Sequence, residues 1–307
     1  MQTIESLKKT IKSAQDLQSV VKTMKALAAV SIRQYQKAVE SLTDYTKTVE
    51  MGLQIALKNK PESVEMAQAA PCLRMGAIIF GSDQGLCGQL NEQISVHAID
   101  EMDKLGVDKE HRTVMTVGLR VNGFIEDAGL VITEGLTVPG STAGITPMVQ
   151  EIIMILDEWL IRKQIQHVYL FYNEYMSGAT YRQKTLHLLP VDRNWLKNLE
   201  KKKWPTKTLP TFRMDWNDLF RGLIHEYLFV SLYRAFAESL ASENASRLAA
   251  MQNAEKNIEE RLQELDGAFH RKRQMNITEE LLDIVAGFEA MSVGKKIIPL
   301  KKQERGL

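Results

Sequence analysis

The chain has 307 residues, 44% hydrophobic and 25% charged, which is enough apolar material for a core and argues against wholesale disorder. Its formal net charge of +1 argues against a protein whose main work is coating nucleic acid. Two cysteines, Cys72 and Cys87, are too few for a disulfide scaffold or a four-ligand metal site, and they fit a reducing compartment.

Seven of the eight prolines lie between Pro61 and Pro210, and the eighth is Pro299. The remaining sequence holds two proline-free runs, 60 residues at the start and 88 from Thr211 to Ile298. Proline inside a helix removes a donor and clashes with the preceding turn, so both runs permit very long helices. At about 1.5 Å per residue they could reach roughly 80 and 110 Å.

The first 17 residues, MQTIESLKKTIKSAQDL, have no apolar signal core, which argues against secretion. Their lysine-bearing amphipathic pattern continues past residue 50 and includes Glu5 and Asp16, so it reads as a working helix and not a transit segment. Apolar residues recur at Ile4, Leu7, Ile11, Ala14, Leu17, Val21, Met24, Ala28, Ile32, Tyr35, Val39 and Leu42. These alternating steps of three and four form a coiled-coil seam. Only Gly52 interrupts the segment, and the pattern predicts one helix from Gln2 to Leu57.

Residues 59–75 carry two prolines and read as a loop. The period then changes. GAIIF (76–80), TVMTV (113–117), LVIT (130–133) and VYLFY (168–172) are short β-branched or aromatic runs. Helical stretches lie around Gln89–Lys104 and Thr146–Arg162, so the middle reads as a small α/β layer with a largely parallel sheet. Residues 181–191, YRQKTLHLLPV, predict one further strand at an edge. The lysine-rich 193–210 stretch, with Pro205 and Pro210, reads as a surface loop.

From about Asp215 the helical period returns and runs through Leu232, Leu248, Leu262 and Phe288, with Gly222, Gly267 and Gly287 as soft points. The tail, SVGKKIIPLKKQERGL, is basic and reads as loose. The simplest assembly is an antiparallel pair of terminal helices carrying an inserted α/β domain. Its divisions are an N-terminal coiled-coil helix (1–58), a base domain (59–211), a C-terminal coiled-coil helix (212–290) and a basic tail (291–307).

The segment most like an enzyme motif is Gly81-Ser82-Asp83-Gln84-Gly85-Leu86-Cys87-Gly88-Gln89-Leu90-Asn91, between a strand and a helix, where open α/β sheets often bind phosphate. It lacks the Gly-Lys-Ser/Thr ending of a phosphate loop and the dinucleotide glycine spacing. It therefore reads as a tight turn, and Cys87 as a buried structural cysteine more readily than a nucleophile. His97, His111, His167, His187, His225 and His270 form no metal-binding spacing, and Glu259-Glu260 and Glu279-Glu280 read as solvated helix faces. No catalytic residue, cofactor or metal is expected. The stripe of Lys8, Lys9, Lys12, Lys22, Lys25, Arg33 and Lys37 fits a solvated face and a track for acidic partners equally well. No stretch approaches about 18 consecutive apolar residues, so no membrane span is expected.

Three blocks resemble the gamma subunit of F-type rotary ATP synthases. Val20–Val30, VVKTMKALAAV, is similar to that family's ITKAMxMVAA segment. Ser82–Asn91, SDQGLCGQLN, is similar to SDRGLCGGLN. Residues 241–258 (ASENASRLAAMQNAEKNI) and 271–287 (RKRQMNITEELLDIVAG) are similar to its C-terminal helix. The likeness runs in order along nearly the whole chain. Gln84 replaces a common arginine, Gln89 replaces a common glycine, and the tail from Ser292 extends past the usual end.

The resemblance implies a non-catalytic rotor shaft. Its terminal helices would form a coiled coil inside a ring of alpha and beta subunits, with a Rossmann-like base domain against epsilon and the membrane c-ring. It would couple ion flow to cycling of the ATP sites on beta. Partner-binding residues implied this way are Met24 and Lys25 near a beta lever, with Lys22 and Arg33 on the basic track. Arg247, Gln274 and Thr278 would meet a beta catch loop, and Gly85, Leu86, Cys87 and Gly88 would face the stalk's foot. The expected setting is the cytoplasmic face of a bacterial inner membrane. The rival reading is a free-standing coiled-coil adaptor with an inserted α/β domain.

Overall fold

The computed structural model describes residues 3–61, 73–205, 207, 208 and 210–294. Cys72 and the greater part of the basic tail lie outside them. Two helices dominate: α1, Ile4–Lys58, and α6, Trp216–Gly294, of 55 and 79 residues. Between them in the chain come β1 (Met75–Phe80), α2 (Leu90–Lys104), β2 (Arg112–Val117), α3 (Asn122–Asp127) and β3 (Ile132–Leu136). They are followed by α4 (Ile145–Ile161), β4 (His167–Ser177), β5 (Thr180–Leu189) and α5 (Arg193–Lys201). The described residues divide into two compact bodies. One holds α1 up to Thr23 and α6 from Asn253; the other holds Met24–Gln252.

In the larger body the five strands run in the order β3-β2-β1-β4-β5. The first four are mutually parallel, and β5 pairs antiparallel with β4 at the edge, as the alternating 181–191 run predicts. Every residue of β1 is buried, the signature of a central parallel strand covered on both faces. Its side chains alternate between two cores. Met75, Ala77 and Ile79 pack with Ile94, Ala98 and Met102 of α2 and Ile125 of α3. Ile78 and Phe80 face α4, through Ile152 and Leu156, and α6, through Leu232 and Phe236. Fully burying such side chains stabilises by about 1.5–3 kcal/mol each, so α6 is part of the domain core and not an appendage.

The helices α1 and α6 pair antiparallel in this body. The Trp216 indole N–H donates to the Ala56 carbonyl at 2.7 Å, and Tyr45 donates to Glu226 at 2.5 Å. At Gly52 the contact is tight, because a Cβ there would lie 2.6 Å from Leu223 Cδ2 on α6. In the smaller body Leu7, Val21 and Leu265 are buried, and Lys8 Nζ sits 5.9 Å from the Phe269 ring centre. The expected seam holds at Leu7, Val21, Ala28, Ile32, Tyr35 and Leu42, but Leu17 is 53% exposed.

Two expectations need correction. The 193–210 stretch begins with a helix, α5, and not a loop. Asp192 caps it by accepting the Asn194 N–H at 2.8 Å, and Leu196 and Leu199 are buried with Val49, Leu53 and Leu57 of α1. The third strand starts at Ile132 and not at 130, because the turn after α3 turns Leu130 into the core and leaves Val131 79% exposed.

Candidate functional site

The Gly81–Asn91 turn is built from hydrogen bonds among its own motif residues. Asn91 Oδ1 accepts the Ser82 amide and its Nδ2 donates to Ser82 Oγ, both at 2.9 Å. Ser82 Oγ in turn donates to the Gln84 carbonyl at 2.8 Å. The Asp83 carboxylate accepts the Leu119 and Val138 amides at 3.0 and 2.8 Å, tying together the segments that follow β1, β2 and β3. Cys87 is 1% exposed, with its sulfur 3.5 Å from both Ser82 Oγ and Asn91 Nδ2. The Ser82, Asp83, Cys87 and Asn91 side chains are thus engaged within the turn or with neighbouring segments. Leu86, at φ 61°, is 61% exposed.

One side of this turn lies against α6. Ser246 Oγ donates to the Cys87 carbonyl at 2.6 Å, and Ser242 Oγ lies 2.9 Å from the Asn173 carbonyl on β4 and 2.8 Å from the Glu238 carbonyl of its own helix. Arg247 forms an ion pair with Glu243 at 2.6 Å and donates to the carbonyls of Gln84 and Gly85 at 3.3 and 3.4 Å. At Gly88, φ is 59° and a Cβ would stand only 3.3 Å from Ser246 Oγ, so glycine suits both the backbone and the space. Burial pushes the Glu243 carboxyl above its usual range, while the Arg247 charge pulls it back. The Tyr35 phenol from α1 is raised by burial first and by Glu243 second. Strands β1 and β4 flank the point where the connections of a doubly wound sheet diverge, the usual ligand crevice of such sheets. Here Ser242 to Arg247 of α6 lie across it.

The other residues singled out in the sequence fall elsewhere. Lys22 and Arg33 are exposed on α1, and Met24 and Lys25 are half-buried. Gln274 and Thr278 are exposed one turn apart on α6, where Thr278 Oγ1 donates to the Gln274 carbonyl at 2.9 Å. Arg247 is the exception: its side chain is 9% exposed and turned inward. Of Gly85–Gly88, Leu86 points outward and Cys87 inward. Glu243, Ser242 and Ser246 were not singled out, although the i,i+4 spacing of Glu243 and Arg247 was a readable signal.

Exposed apolar side chains follow the long helices. Leu27 and Val30 on α1 are 62% and 56% exposed. Ile277, Leu281, Ile284 and Phe288 on α6 are 47–71% exposed. Exposed apolar runs of this kind are characteristic of contact faces. Among the described residues, no cluster of three or more His, Cys, Asp or Glu could hold a metal, and no helix is long and apolar enough to cross a membrane.

Comparison with known proteins gives a consistent picture. The family described as ATP synthase matches residues 3–291. The ATP synthase gamma chain of Buchnera aphidicola subsp. Schizaphis graminum is 27% identical over 295 residues, covering 94% of this chain and 98% of that one. The gamma chain of Cupriavidus necator is 26% identical over 291 residues, covering 94% and 99%. Among solved structures, a chain of the Euglena gracilis mitochondrial ATP synthase, determined with OSCP, F1 and c-ring, superposes with a TM-score of 0.66. It is 18% identical, and the match covers 98% of this chain and 99% of that one. A chain from the central stalk and c-ring of the Tetrahymena thermophila enzyme gives 0.54 at 21% identity, covering 76% and 99%.

Proposed function

Since this chain belongs to the family of ATP synthase gamma chains, the non-catalytic central-stalk rotors of F-type ATP synthases, we propose how its residues serve that role. Residues 1–58 and 212–290 form the shaft, and 59–211 form the base. The shaft turns inside a ring of alpha and beta subunits, and the base rides with epsilon on the c-ring. Ion flow through the c-ring turns the shaft, whose asymmetric faces hold the beta sites in different states in succession. The complex sits on the cytoplasmic face of a bacterial inner membrane, a reading supported by the bacterial relatives.

The observation that carries this reading is the pairing of α1 with α6, with a buried seam and solvent-facing apolar side chains along the same helices. A lone two-helix domain gains nothing from exposing Ile277, Leu281 and Phe288, but a shaft in an apolar sleeve does. Met24, Lys25, Lys22 and Arg33 supply the contact track on α1. Gln274 and Thr278 present polar groups from α6, and Leu86 with the backbone of Gly85–Gly88 presents the base turn. Arg247 contributes from inside the base, against that same turn.

Copurification tests the assignment. A tag on this chain should recover alpha and beta chains at three copies each per shaft, together with c-ring protein in detergent extracts of membranes. Recovery of the chain alone from cells expressing the whole operon would instead fit a free-standing adaptor.

A further inference from the structure

We propose that Arg247, together with Ser242 and Ser246, is the clamp that fixes the rotation of α6 relative to the base sheet. Torque arriving at the base would then pass to the shaft helix through the Gly81–Asn91 turn. This rests on the rotor reading above. It differs from the expectation that Arg247 reaches out to a beta subunit.

The geometry carries the argument. Four side chains on successive turns of one helix face, Ser242, Glu243, Ser246 and Arg247, are each at least nine-tenths buried. Two of them donate to carbonyls of the turn, Ser246 to Cys87 and Arg247 to Gln84 and Gly85, while the Ser242 hydroxyl lies within reach of both the Asn173 carbonyl on β4 and the Glu238 carbonyl of its own helix. The fourth, Glu243, holds the guanidinium in place at 2.6 Å. The contacts reach both the turn that follows β1 and Asn173 within β4, so the links resist both sliding and rolling of α6.

Apolar packing around Phe80 and Phe236, with rings 4.9 Å apart, already supplies cohesion. Such packing is non-directional and tolerates slippage, whereas hydrogen bonds to fixed carbonyls do not. A buried ion pair adds little net stability over well-packed apolar side chains, so the Glu243–Arg247 pair is better explained by positioning than by cohesion. Arginine suits the task because its long stem carries Nη2 to a point where it meets the Glu243 carboxylate and the Gln84 and Gly85 carbonyls together. The turn is shaped to receive it. Leu86 and Gly88 adopt φ 61° and 59°, and the Cys87 carbonyl between them accepts from Ser246. Asp83 and Asn91 then brace the turn from behind.

The test uses the assembled membrane complex in a Cys72→Ser, Cys87→Ser background. Gly88→Cys and Ser246→Cys place two thiols across the clamp, since a Cβ on Gly88 would stand 3.3 Å from the Ser246 Oγ position. The reduced pair, which gives up the Ser246 bond and strains the φ 59° backbone, is the baseline for each comparison. With Arg247 present, oxidation should leave ATP turnover and ions pumped per ATP within about twofold of the reduced complex, because the two parts already move as one. Arg247→Ala should lower ions pumped per ATP about two- to fivefold, as a charge-assisted anchor is lost. Oxidation of the Gly88→Cys/Ser246→Cys pair in the Arg247→Ala complex should restore pumping, and reduction should abolish the gain.

An unchanged pumping ratio in Arg247→Ala overturns the proposal. So does a lowered ratio that the cross-link does not restore, which would return Arg247 to the partner contacts. Should Arg247→Ala fail to assemble, the cross-linked complex with Arg247 decides alone. A large, reductant-reversible loss of turnover on oxidation would show that turn and helix must move apart. Failure of the rotor reading would appear separately, as absence of alpha and beta chains from the purified complex.

Discussion

At the level of single residues, the base sheet contains a paired histidine couple that the sequence did not reveal. His167 Nδ1 and His187 Nε2 are 3.1 Å apart with stacked rings, and Tyr169 stacks on His187 at 4.6 Å. Such a bond needs one nitrogen as donor and the other as acceptor, so both rings cannot be fully protonated. Burial lowers the His187 pKa most, followed by the His167 charge, with Asp192 opposing. The unfolded chain, with histidines near about 6.5, therefore binds more protons than the folded one at mildly acid pH. The contribution is fully present above about pH 6.5 and is lost as pH falls through the lowered folded value. His97, bonded to Thr185 at 2.9 Å, is also lowered by burial and adds the same slope. Urea midpoints of the purified protein, stepped downward from neutral pH, should fall more steeply for the wild type than for His187→Asn. Parallel profiles would mean that His187 does not titrate with folding. None of this was readable beforehand, because residues 20 apart become neighbours only through the register of β4 on β5.

At the level of elements, periodicity carried most of the information. The seam of α1, the continuous apolar runs of β1 and β2, and the alternation of β5 each report their own burial pattern. The prediction of Gln2–Leu57 differs from Ile4–Lys58 only at the ends, where helices fray. The helix α5 was hidden because lysine count outweighed the Asp192 cap and the Trp195, Leu196, Leu199 spacing. Gly52 looked like a weak point, yet the Leu223 side chain of α6 packs into the space its missing Cβ leaves. Gly52→Ala should change stability by less than about 1 kcal/mol, since the helix-propensity gain offsets a small shift of the Leu223 tip. Gly52→Leu should destabilise by about 1–3 kcal/mol through overpacking. Chemical denaturation of the two variants checks this, and a neutral Gly52→Leu would mean the helices separate there readily.

At the level of the whole molecule, the turn after β1 shows how a sequence motif can be recognised correctly and still leave its physical purpose open. Its glycines and polar residues look like a ligand loop, but Ser82, Asp83, Cys87 and Asn91 satisfy one another or their neighbours, and α6 lies over the strand ends. The sequence could not show that, because the nearest partner, Ser246, lies 159 positions away from Cys87. Met24, by contrast, is half-buried on α1 and belongs to the contact track proposed above. Met24→Lys should leave assembly intact and reduce ions pumped per ATP severalfold, through an added charge pairing with an acidic lever. Normal pumping in that variant would remove Met24 from the contact track.

The bond from Trp216 to Ala56 bridges 160 positions, and this separation has a consequence during synthesis. The first helix leaves the ribosome long before the second exists. At about 5–20 residues per second, its apolar seam waits roughly 8–32 seconds for its mate. In that interval Leu42, Val49 and Leu53 must be shielded by a chaperone or by passing self-association. The nascent first helix, not the finished shaft, is therefore the species a cell must guard.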